Sequence, residues 1–592
     1  MDEKYNVHKN VTVLEKAISK LYTQKYKHLD LKATVIDLNC HNYQYHLKMF
    51  DVVLMSFIVA YLLLIVFATV YDVTALRKTN KCITSFSLYH NLTELKRKYQ
   101  QTDFHKLKCI QGIRFYTTVL IIFCHTFCSF SGGFVANTKY FEEIPQNSLR
   151  HGLRNLFVFL VQTFFLISAW LLSYHTFHIF EHAERMHFLK YVWLTFGNRY
   201  LRIIPPVLLM VSLGSSIWIY GSFHGPVKDI YSDKEYQRCQ ENWWIIFLFL
   251  NNHYQQHDMC YFTTWYLSAD TQLYALSIII LIIIFKLKYS NILLLAICVT
   301  IGITIPSMVS YLYNLDFIYR ITPDSGQYLA VYDYNDRSKK YYVLARRDFS
   351  TFLHARIISW YTLTFPSDHH FDLTANNTTT YFNENKSKNS KNNMFRSFEF
   401  NATYTSTYSN MATYTLGLLF GYIYYRLENK PFFTNKLHII LWWTTSLGLP
   451  LTVIIISSYE YGQVTRAVLA GTLKPMYALG IGMAIFGMSH RTGGIIKVLC
   501  EWKPALFLGN ITYSTYVVHF GIVFCRTALT MEPLQVSDSV LLFSFIQDAL
   551  LSFICGFVMH LLLEMPMSQL QSIFVPKFRA DVLKFDNDKR IK

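Results

Sequence analysis

Ionisable side chains lie inside stretches of this chain that are otherwise apolar. The clearest stretch is CIQGIRFYTTVLIIFCHTF, with Arg114 and His125 eleven residues apart. A helix would separate the two by about 16 Å, and eleven residues make close to three turns, so both would lie on nearly one face. A neutral imidazole can accept the proton of an attacking hydroxyl, and a guanidinium can bind an anion. The spacing therefore favours an anionic ligand with its reactive end at His125; the alternative is a core histidine beside an arginine that anchors the helix end.

A second segment, NRYLRIIPP, carries Arg199 and Arg202 three residues apart, on one face of a helix start. Paired arginines suit phosphate, because each guanidinium can donate two parallel hydrogen bonds. We expect Pro205 and Pro206 to break the helix just beyond them. The alternative is again that the arginines only anchor a helix end.

A third segment, TTWYLSADTQLYAL, puts Asp270 and Gln272 in an otherwise apolar helix. A buried carboxylate must find a partner or become protonated. We expect the partner of Asp270 to be a histidine from a neighbouring helix, which the carboxylate would orient and make more basic. The alternative is an aspartate at the helix end that remains in water.

The last part of the chain adds His519, within FLGNITYSTYVVHFGIVF, and Glu564, shortly before Pro566 in LLLEMPMSQL. We place both side chains in the same polar interior as Gln272. A packing role for His519 and an ordinary helix terminus at Glu564 stay open as alternatives.

The elements that carry these residues are long enough to cross a bilayer, for which a helix needs about 20 apolar residues. Only 16% of the 592 residues are charged, against about 25% in soluble domains, so a water-soluble surface could not shield so many apolar helices. The sequence predicts an all-α integral membrane protein of about eleven transmembrane helices. These are 51–71, 113–131, 155–174, 200–220, 264–286, 291–313, 409–425, 437–457, 464–488, 505–529 and 540–563. A charge inside such a helix costs about 2.5–3.5 kcal/mol on insertion scales, so each one needs a reason.

The charges between these segments set the expected orientation. Basic residues outnumber acidic ones in 72–112 and after residue 566, whereas acidic residues outnumber basic ones in 221–263. By the positive-inside rule, the N-terminus is luminal or extracellular and the C-terminus is cytosolic. The lysine-rich tail would then have to cross, so either the first helix inserts with its N-terminus outside or an upstream segment precedes it. The predicted organisation is a tail (1–50), a first helix (51–71), a basic cytosolic linker (72–112), a membrane domain (113–566) with a luminal loop (314–408), and a cytosolic tail (567–592).

Modification sites follow from this topology. Cys239 and Cys260 share one predicted luminal loop and could pair in an oxidising compartment, which leaves Cys40 without a partner. The glycosylation candidates are Asn376, Asn377, Asn385 and Asn401. No CxxC or HExxH spacing predicts a metal site, and no basic patch interleaved with aromatic residues predicts binding to nucleic acid; the predicted partners include membrane lipids.

Taken in order, these segments resemble the acyltransferase-3 family of integral membrane enzymes, and more narrowly its animal branch, the nose-resistant-to-fluoxetine-like proteins. The resemblance spans residues 91–566 and includes the family's Arg and His with ten residues between them. The segments that carry it are the stretch from NLTELKRKY through FCHT, FFLISAWLLSY, NRYLRIIPP, CYFTTWYLSADTQLY, YTLGLLFGY, ITYSTYVVH and EMP. The family has a conserved unit of ten helices, which fits eleven here if one N-terminal helix is added.

The resemblance implies transfer of an acyl group from a cytosolic thioester donor, commonly acyl-CoA as co-substrate, to a hydroxyl-bearing acceptor, without a permanently bound cofactor. It implies that His125 is the catalytic base and that Asp270 lies in the polar core of the site. The residues implied to contact donor phosphates or shape the entry are Arg114, Arg199 and Arg202. The host membrane would be the endoplasmic reticulum or the plasma membrane.

The chain departs from the branch in specific places. The usual Val-Asp-x-Phe-Phe followed by Ser-Gly reads VQTFFLISA here, with Gln162 and Ala169, and Asn410 stands where an arginine is usual. The branch's cysteine-rich N-terminal domain is reduced to 50 residues with one cysteine. The competing hypothesis is therefore a non-catalytic transporter or lipid- or xenobiotic-handling protein on the same fold, with the polar core as its passage.

Overall fold

The fold is known from a computed structural model. It describes residues 13–21, 23–24, 27, 47–74, 80–98, 107–131, 135–137, 139–142, 148–182, 188–216, 234–256, 258–287, 291–318, 400–428, 430 and 435–574. Residues 1–52 form one compact unit, in which 13–21 are helical, and residues 53–592 form another. The glycosylation candidates Asn376, Asn377 and Asn385 lie outside the described residues, as does Cys40.

Within these ranges the chain is helical, and its only β-pairing is an isolated bridge between Val135 and Leu534. The helices of the first half are α1 (Met49–Thr74), α2 (Lys81–Thr84), α3 (Leu88–Lys98), α4 (Lys108–Ser131), α5 (Lys139–Glu142), α6 (Ser148–His182), α7 (Phe188–Gly214), α8 (Lys234–Phe247), α9 (Thr264–Leu287) and α10 (Asn291–Tyr313). The second half contains a π-helical turn π1 (Asn401–Thr405), α11 (Thr407–Leu427), α12 (Lys436–Ile456), α13 (Gln463–Ser489), α14 (Gly494–Cys500), α15 (Lys503–Asn510), α16 (Thr512–Ala528), α17 (Asp538–Met559), a second π-helical turn π2 (His560–Glu564) and α18 (Met565–Phe574).

The prediction of an all-α membrane protein is confirmed. Eight described helices are long and apolar enough to cross a bilayer, or nine if α15 and α16, bent by 74°, count as one broken span. The count of eleven is not confirmed. The other two predicted segments are helices α7 and α11, whose polar side chains, such as Arg199, Arg202 and Asn410, keep them below the apolarity of a lipid-facing span.

Helix α11 can be polar because protein surrounds it. It packs most extensively against α6 and also contacts α10, α13 and α9. The close approach to α6 depends on Gly417 and Gly421, four residues apart, since a Cβ at 417 would lie 2.6 Å from the carbonyl oxygen of Leu166 and one at 421 would overlap that of Trp170. Small residues at this spacing let membrane helices pack backbone to backbone. The core of the molecule therefore forms around α6 and α11.

Two breaks in helical regularity lie beside the polar interior. The expectation that Pro205 and Pro206 break the helix is wrong. Helix α7 runs through both prolines to Gly214. A π-helical turn instead interrupts the long helix formed by α17 and α18. The Leu562 carbonyl of this turn accepts a hydrogen bond from Tyr61 Oη at 2.6 Å, and that of Leu561 accepts one from Asn91 Nδ2 at 3.4 Å. Helices α1 and α3 thus help to satisfy backbone groups in π2.

Candidate functional site

The His125 imidazole lies against a second imidazole. Nδ1 of His125, on α4, is 2.8 Å from Nε2 of His519, on α16, and the two rings stack with centroids 5.0 Å apart. His519 is fully buried, and its Nδ1 is 2.6 Å from the carbonyl oxygen of Tyr516. Nε2 of His125 makes no hydrogen bond within the described part of the chain. The sequence placed both histidines in the polar interior but did not predict that they touch.

Asp270 pairs with an arginine and not with a histidine. Its Oδ2 forms an ion pair with Nη2 of Arg199, whose Nη1 donates to Ser168 Oγ at 3.1 Å. The same guanidinium stacks on the ring of Tyr274, 4.1 Å from its centroid, and Ser168 Oγ is 3.2 Å from the hydroxyl of Tyr414. The expectation that Asp270 orients a histidine is wrong, because the nearest cation on the packed helices is Arg199. Asp270 is 4% exposed and its Oδ1 has no hydrogen-bond partner among the described residues.

The other two arginines differ in how far they are neutralised. Arg202 donates to Glu564 Oε1 at 2.9 Å, although about half of the Arg202 side chain is exposed. The buried Glu564 also accepts from Ser514 Oγ at 2.8 Å and lies 2.7 Å from His560 Nδ1. Arg114 makes no ion pair or side-chain hydrogen bond within the ranges that the structure describes, although it lies near enough to Arg202, Arg199 and Glu564 to interact with their charges. The guanidiniums of Arg114, Arg199 and Arg202 thus lie near only two carboxylates within the described ranges. These are the carboxylates of Asp270 and Glu564.

Aromatic rings connect the histidine pair to the arginine cluster. The ring of Tyr516 lies 5.3 Å from that of His519 and 5.5 Å from that of Tyr266. Tyr266 in turn lies within electrostatic range of Asp270 and Arg199. One cavity borders this connection, lined mainly by apolar side chains of α7, α9 and α16, including Tyr516; His125 and Asp270 are not among its lining residues. The polar interior is therefore contiguous through tyrosines.

Gln272 lies apart from this interior. Its Nε2 donates to Asn252 Oδ1 at 2.9 Å, and its Oε1 lies 3.2 Å from His253 Nε2. Thr407 also donates to Gln272 Oε1. Gln272 therefore ties α9 to the start of α11 and to the loop after α8, rather than to the histidines or arginines.

Cys239 and Cys260 are joined by a disulfide, as the pairing prediction expected. Beside it, the buried Glu235 accepts from the backbone N–H of Tyr261 and pairs with Arg238, Nη1 to Oε2 at 3.5 Å. Burial raises the pKa of the Glu235 carboxyl. Glu235 and the two sulfur atoms lie together as metal ligands would, but the disulfide consumes both thiolates, so this group is structural. Of the glycosylation candidates, the described Asn401 is 3% exposed in π1, where a glycan has no room.

Sequence reasoning missed two polar clusters. In the first, Asp548 of α17 is fully buried, accepts from Thr126 Oγ1 at 2.8 Å and pairs with Arg526 Nε at 2.9 Å. Arg526 also donates to Ser129 Oγ at 2.8 Å. This cluster ties α4, α16 and α17 together one residue from His125. A charge within the predicted span 540–563 was a sufficient signal to find it.

In the second missed cluster, Lys474 of α13 is 3% exposed and has neutral partners. Its Nζ donates to the Thr403 carbonyl at 2.7 Å, to Ser409 Oγ at 3.1 Å and to Asn410 Oδ1 at 3.1 Å. Gln162 Nε2 donates to the same Asn410 oxygen at 2.8 Å. Two of the three positions where this chain departs from the usual pattern, 162 and 410, are thus in direct contact beside a buried lysine.

Comparisons with known proteins bear on the same region. The family model described as an acyltransferase domain, that of the acyltransferase-3 family, matches residues 107–568. Nose resistant to fluoxetine protein 6 from Caenorhabditis elegans is 21% identical over 584 residues, which cover 91% of this chain and 62% of that protein. The chain therefore spans less than two thirds of that relative's length. No solved structure matches the chain.

Proposed function

Because the chain belongs to the acyltransferase-3 family, we propose that it is a membrane acyltransferase that uses a cytosolic donor of the acyl-CoA type and a hydroxyl-bearing acceptor. His125 is the general base in this proposal. The orientation of the site, with Arg114 toward the cytosol and His125 deeper in the membrane, follows the charge distribution of the loops.

One observation carries the proposal: Arg114 and His125 stand on one helix, and Arg114 has no carboxylate partner among the described residues. Asp270 and Glu564 offset two of the three guanidinium charges, so about one positive charge remains. Arg114 is only partly exposed, and a partly buried cation without a counter-ion is costly. A phosphate group of the donor would supply the missing negative charge. Of the predicted donor-contacting residues, Arg114 and the half-exposed Arg202 are the two best placed. Arg199 is occupied by Asp270 and Ser168, and so it shapes the site instead.

The chemistry then needs little beyond the imidazole. The acceptor oxygen attacks the thioester carbonyl carbon as His125 Nε2 takes the hydroxyl proton. The new C–O bond forms, the C–S bond breaks, and the proton returns from His125 to the departing thiolate, which leaves as a thiol. Asp270 offsets the charge of Arg199 and fixes its guanidinium beside the site. Its Oδ1, which has no hydrogen-bond partner among the described residues, is an acceptor in the interior.

Purified protein in lipid nanodiscs tests the proposal. The probes are acetyl-CoA and palmitoyl-CoA, and the readouts are release of free thiol with a mixed lipid and sterol acceptor pool, and binding of CoA. We expect thiol release that falls by about 10²–10⁴-fold in His125→Ala, while CoA binding is kept. His178→Ala, on an exposed face of α6, is the matched control.

Two outcomes would overturn the proposal. If His125→Ala released thiol as fast as the wild type, the imidazole would not be the base. If the wild type bound CoA without turnover of either donor, and vesicles took up a fluorescent lipid equally well with and without His125, the protein would be a transporter or lipid-handling protein on the same fold.

A further inference from the structure

We infer that His519 is a positioning residue, which holds His125 in the tautomer that carries its proton on Nδ1 and leaves Nε2 as the basic atom. The catalytic meaning of this inference rests on the proposed function, but the tautomer itself does not. The partners of the four ring nitrogens of His125 and His519 determine it.

A backbone carbonyl fixes the tautomer of His519. A backbone carbonyl can only accept, so the contact between His519 Nδ1 and the Tyr516 oxygen requires a proton on Nδ1. A neutral imidazole carries one N–H, and Nε2 of His519 is therefore an acceptor. Protonating Nε2 as well would charge a ring that is fully buried and has no carboxylate contact among the described residues. His519 is thus a fixed acceptor that faces His125.

The tautomer of His125 follows from that of His519. The 2.8 Å contact to His519 Nε2 needs a hydrogen, and only His125 Nδ1 can supply it. The remaining nitrogen of His125, Nε2, then carries the lone pair. This atom makes no hydrogen bond within the described ranges, so its lone pair is available to a substrate hydroxyl. Without His519, nothing at Nδ1 would fix this tautomer, and the other tautomer carries its proton on Nε2, which could then not act as the base.

The hydrogen bond between His125 and His519 also acts in the transition state. When His125 accepts a proton on Nε2 the ring becomes an imidazolium, and its Nδ1–H bond to His519 becomes charge-assisted and stronger. The proton does not pass on, because His519 keeps its own proton on Nδ1, which donates to the Tyr516 carbonyl, and a second proton would charge a buried ring. His519 therefore orients the base and stabilises its charged form without titrating itself. An edge contact from Phe520, with ring centroids 5.6 Å apart, limits rotation of the His125 ring.

The tautomer can be measured without any substrate. Protein labelled with ¹⁵N-histidine in nanodiscs gives solid-state NMR signals that differ between protonated and unprotonated ring nitrogens, and the spectrum of His125→Ala identifies the His125 pair by difference. We expect a protonated Nδ1 and an unprotonated Nε2. A protonated Nε2 with a bare Nδ1 would overturn the inference whatever the turnover assay shows.

Two substitutions of equal polarity test the role. In His519→Gln the amide oxygen can occupy the place of Nε2 and still accept from His125, whereas in His519→Asn the shorter amide can replace only Nδ1. We expect thiol release by the Gln variant near the wild-type rate and a fall of about 10–100-fold in kcat for the Asn variant, with KM for acyl-CoA unchanged in both. Equal loss in the two variants, with the protein still folded, would show that His519 acts only in packing and would contradict the inference. If the wild type shows no turnover, the proposed function fails, while the NMR experiment still decides the tautomer.

Discussion

At the scale of single residues, the guanidinium of Arg114, which has no ion pair within the part of the chain that the structure describes, most directly indicates an anionic ligand. We expect Arg114→Gln to weaken binding of CoA by about 10–100-fold, the equivalent of one lost charge-assisted interaction of about 1.5–3 kcal/mol. The CoA affinity of Arg114→Lys should lie between those of the wild type and Arg114→Gln, because lysine keeps the charge but not the bidentate geometry. Titration of CoA into nanodiscs measures both. Arg426→Gln, at the exposed end of α11, is the control; unchanged binding in Arg114→Gln would exclude this residue from the donor site.

Gln162 and Asn410 allow a second residue-scale prediction, because these two of the three departures from the usual pattern are hydrogen-bonded to each other. An arginine at 410 would add a buried cation beside Lys474, and we expect Asn410→Arg alone to destabilise the protein by about 3–5 kcal/mol. Adding Gln162→Asp supplies a carboxylate to that arginine and should recover at least about 1 kcal/mol. Apparent melting temperatures in detergent compare the stabilities of the wild type, the single variants and the double variant in a double-mutant cycle. A double variant no more stable than Asn410→Arg would show that the two positions are not coupled.

The sequence indicated which residues belong to the interior but not how they pair. Charges inside apolar segments identified Arg114, His125, Arg199, Asp270 and Glu564, since insertion into lipid makes each of them costly. That Asp270 meets Arg199 and that His125 meets His519 depends on which helices are neighbours and on their rotation. Neither is encoded in the spacing of residues along one helix.

At the scale of elements, the ion pair of Arg526 and Asp548 fixes the helices that carry the two histidines. Removing Arg526 leaves a fully buried carboxylate whose remaining side-chain partner among the described residues is Thr126. We therefore expect Arg526→Gln to cost about 3–5 kcal/mol. Removing both charges, in Arg526→Gln with Asp548→Asn, should cost clearly less because no buried charge is left unpaired. Thermal unfolding in detergent distinguishes the two. If the double variant were the less stable, the pair would stabilise through its own attraction and not through neutralisation.

The positions of the helices along the chain were easier to predict than whether each helix is apolar enough to face lipid. Every predicted apolar segment lies largely on a helix, because about 20 apolar residues in a row leave the backbone no other way to satisfy its hydrogen bonds in lipid. The character of α7 and α11 could not be predicted. The polar side chains of α11 are enclosed by other helices, and Arg199 and Arg202 of α7 are paired with Asp270 and Glu564. The π-helical turn at His560–Glu564 also left no signal in the sequence; it brings Glu564 to Arg202, and Tyr61 and Asn91 help to satisfy its carbonyls.

At the scale of the whole molecule, the acyltransferase unit covers most of the chain, and α1 and α3 add contacts to π2. The orientation in the membrane and the domain boundaries remain predictions from the distribution of charge. The site combines residues from α4, α7, α9, α16 and π2, which are far apart in sequence. Such a site exists only once the bundle has formed, and so its chemistry depends on helix packing as much as on the residues themselves.

The central claim is that Arg114 and His125 act on one donor molecule from two ends of the same helix face. A structure of the protein in nanodiscs with a non-cleavable thioether analogue of acetyl-CoA tests it most directly. We expect phosphate oxygens at Arg114, and near His125 the carbon that mimics the thioester carbonyl. The gap between that carbon and Nε2 of His125 should admit an acceptor hydroxyl at about 3 Å from each. An analogue bound away from Arg114, or a His125 ring sealed off from the bound acyl group, would contradict it.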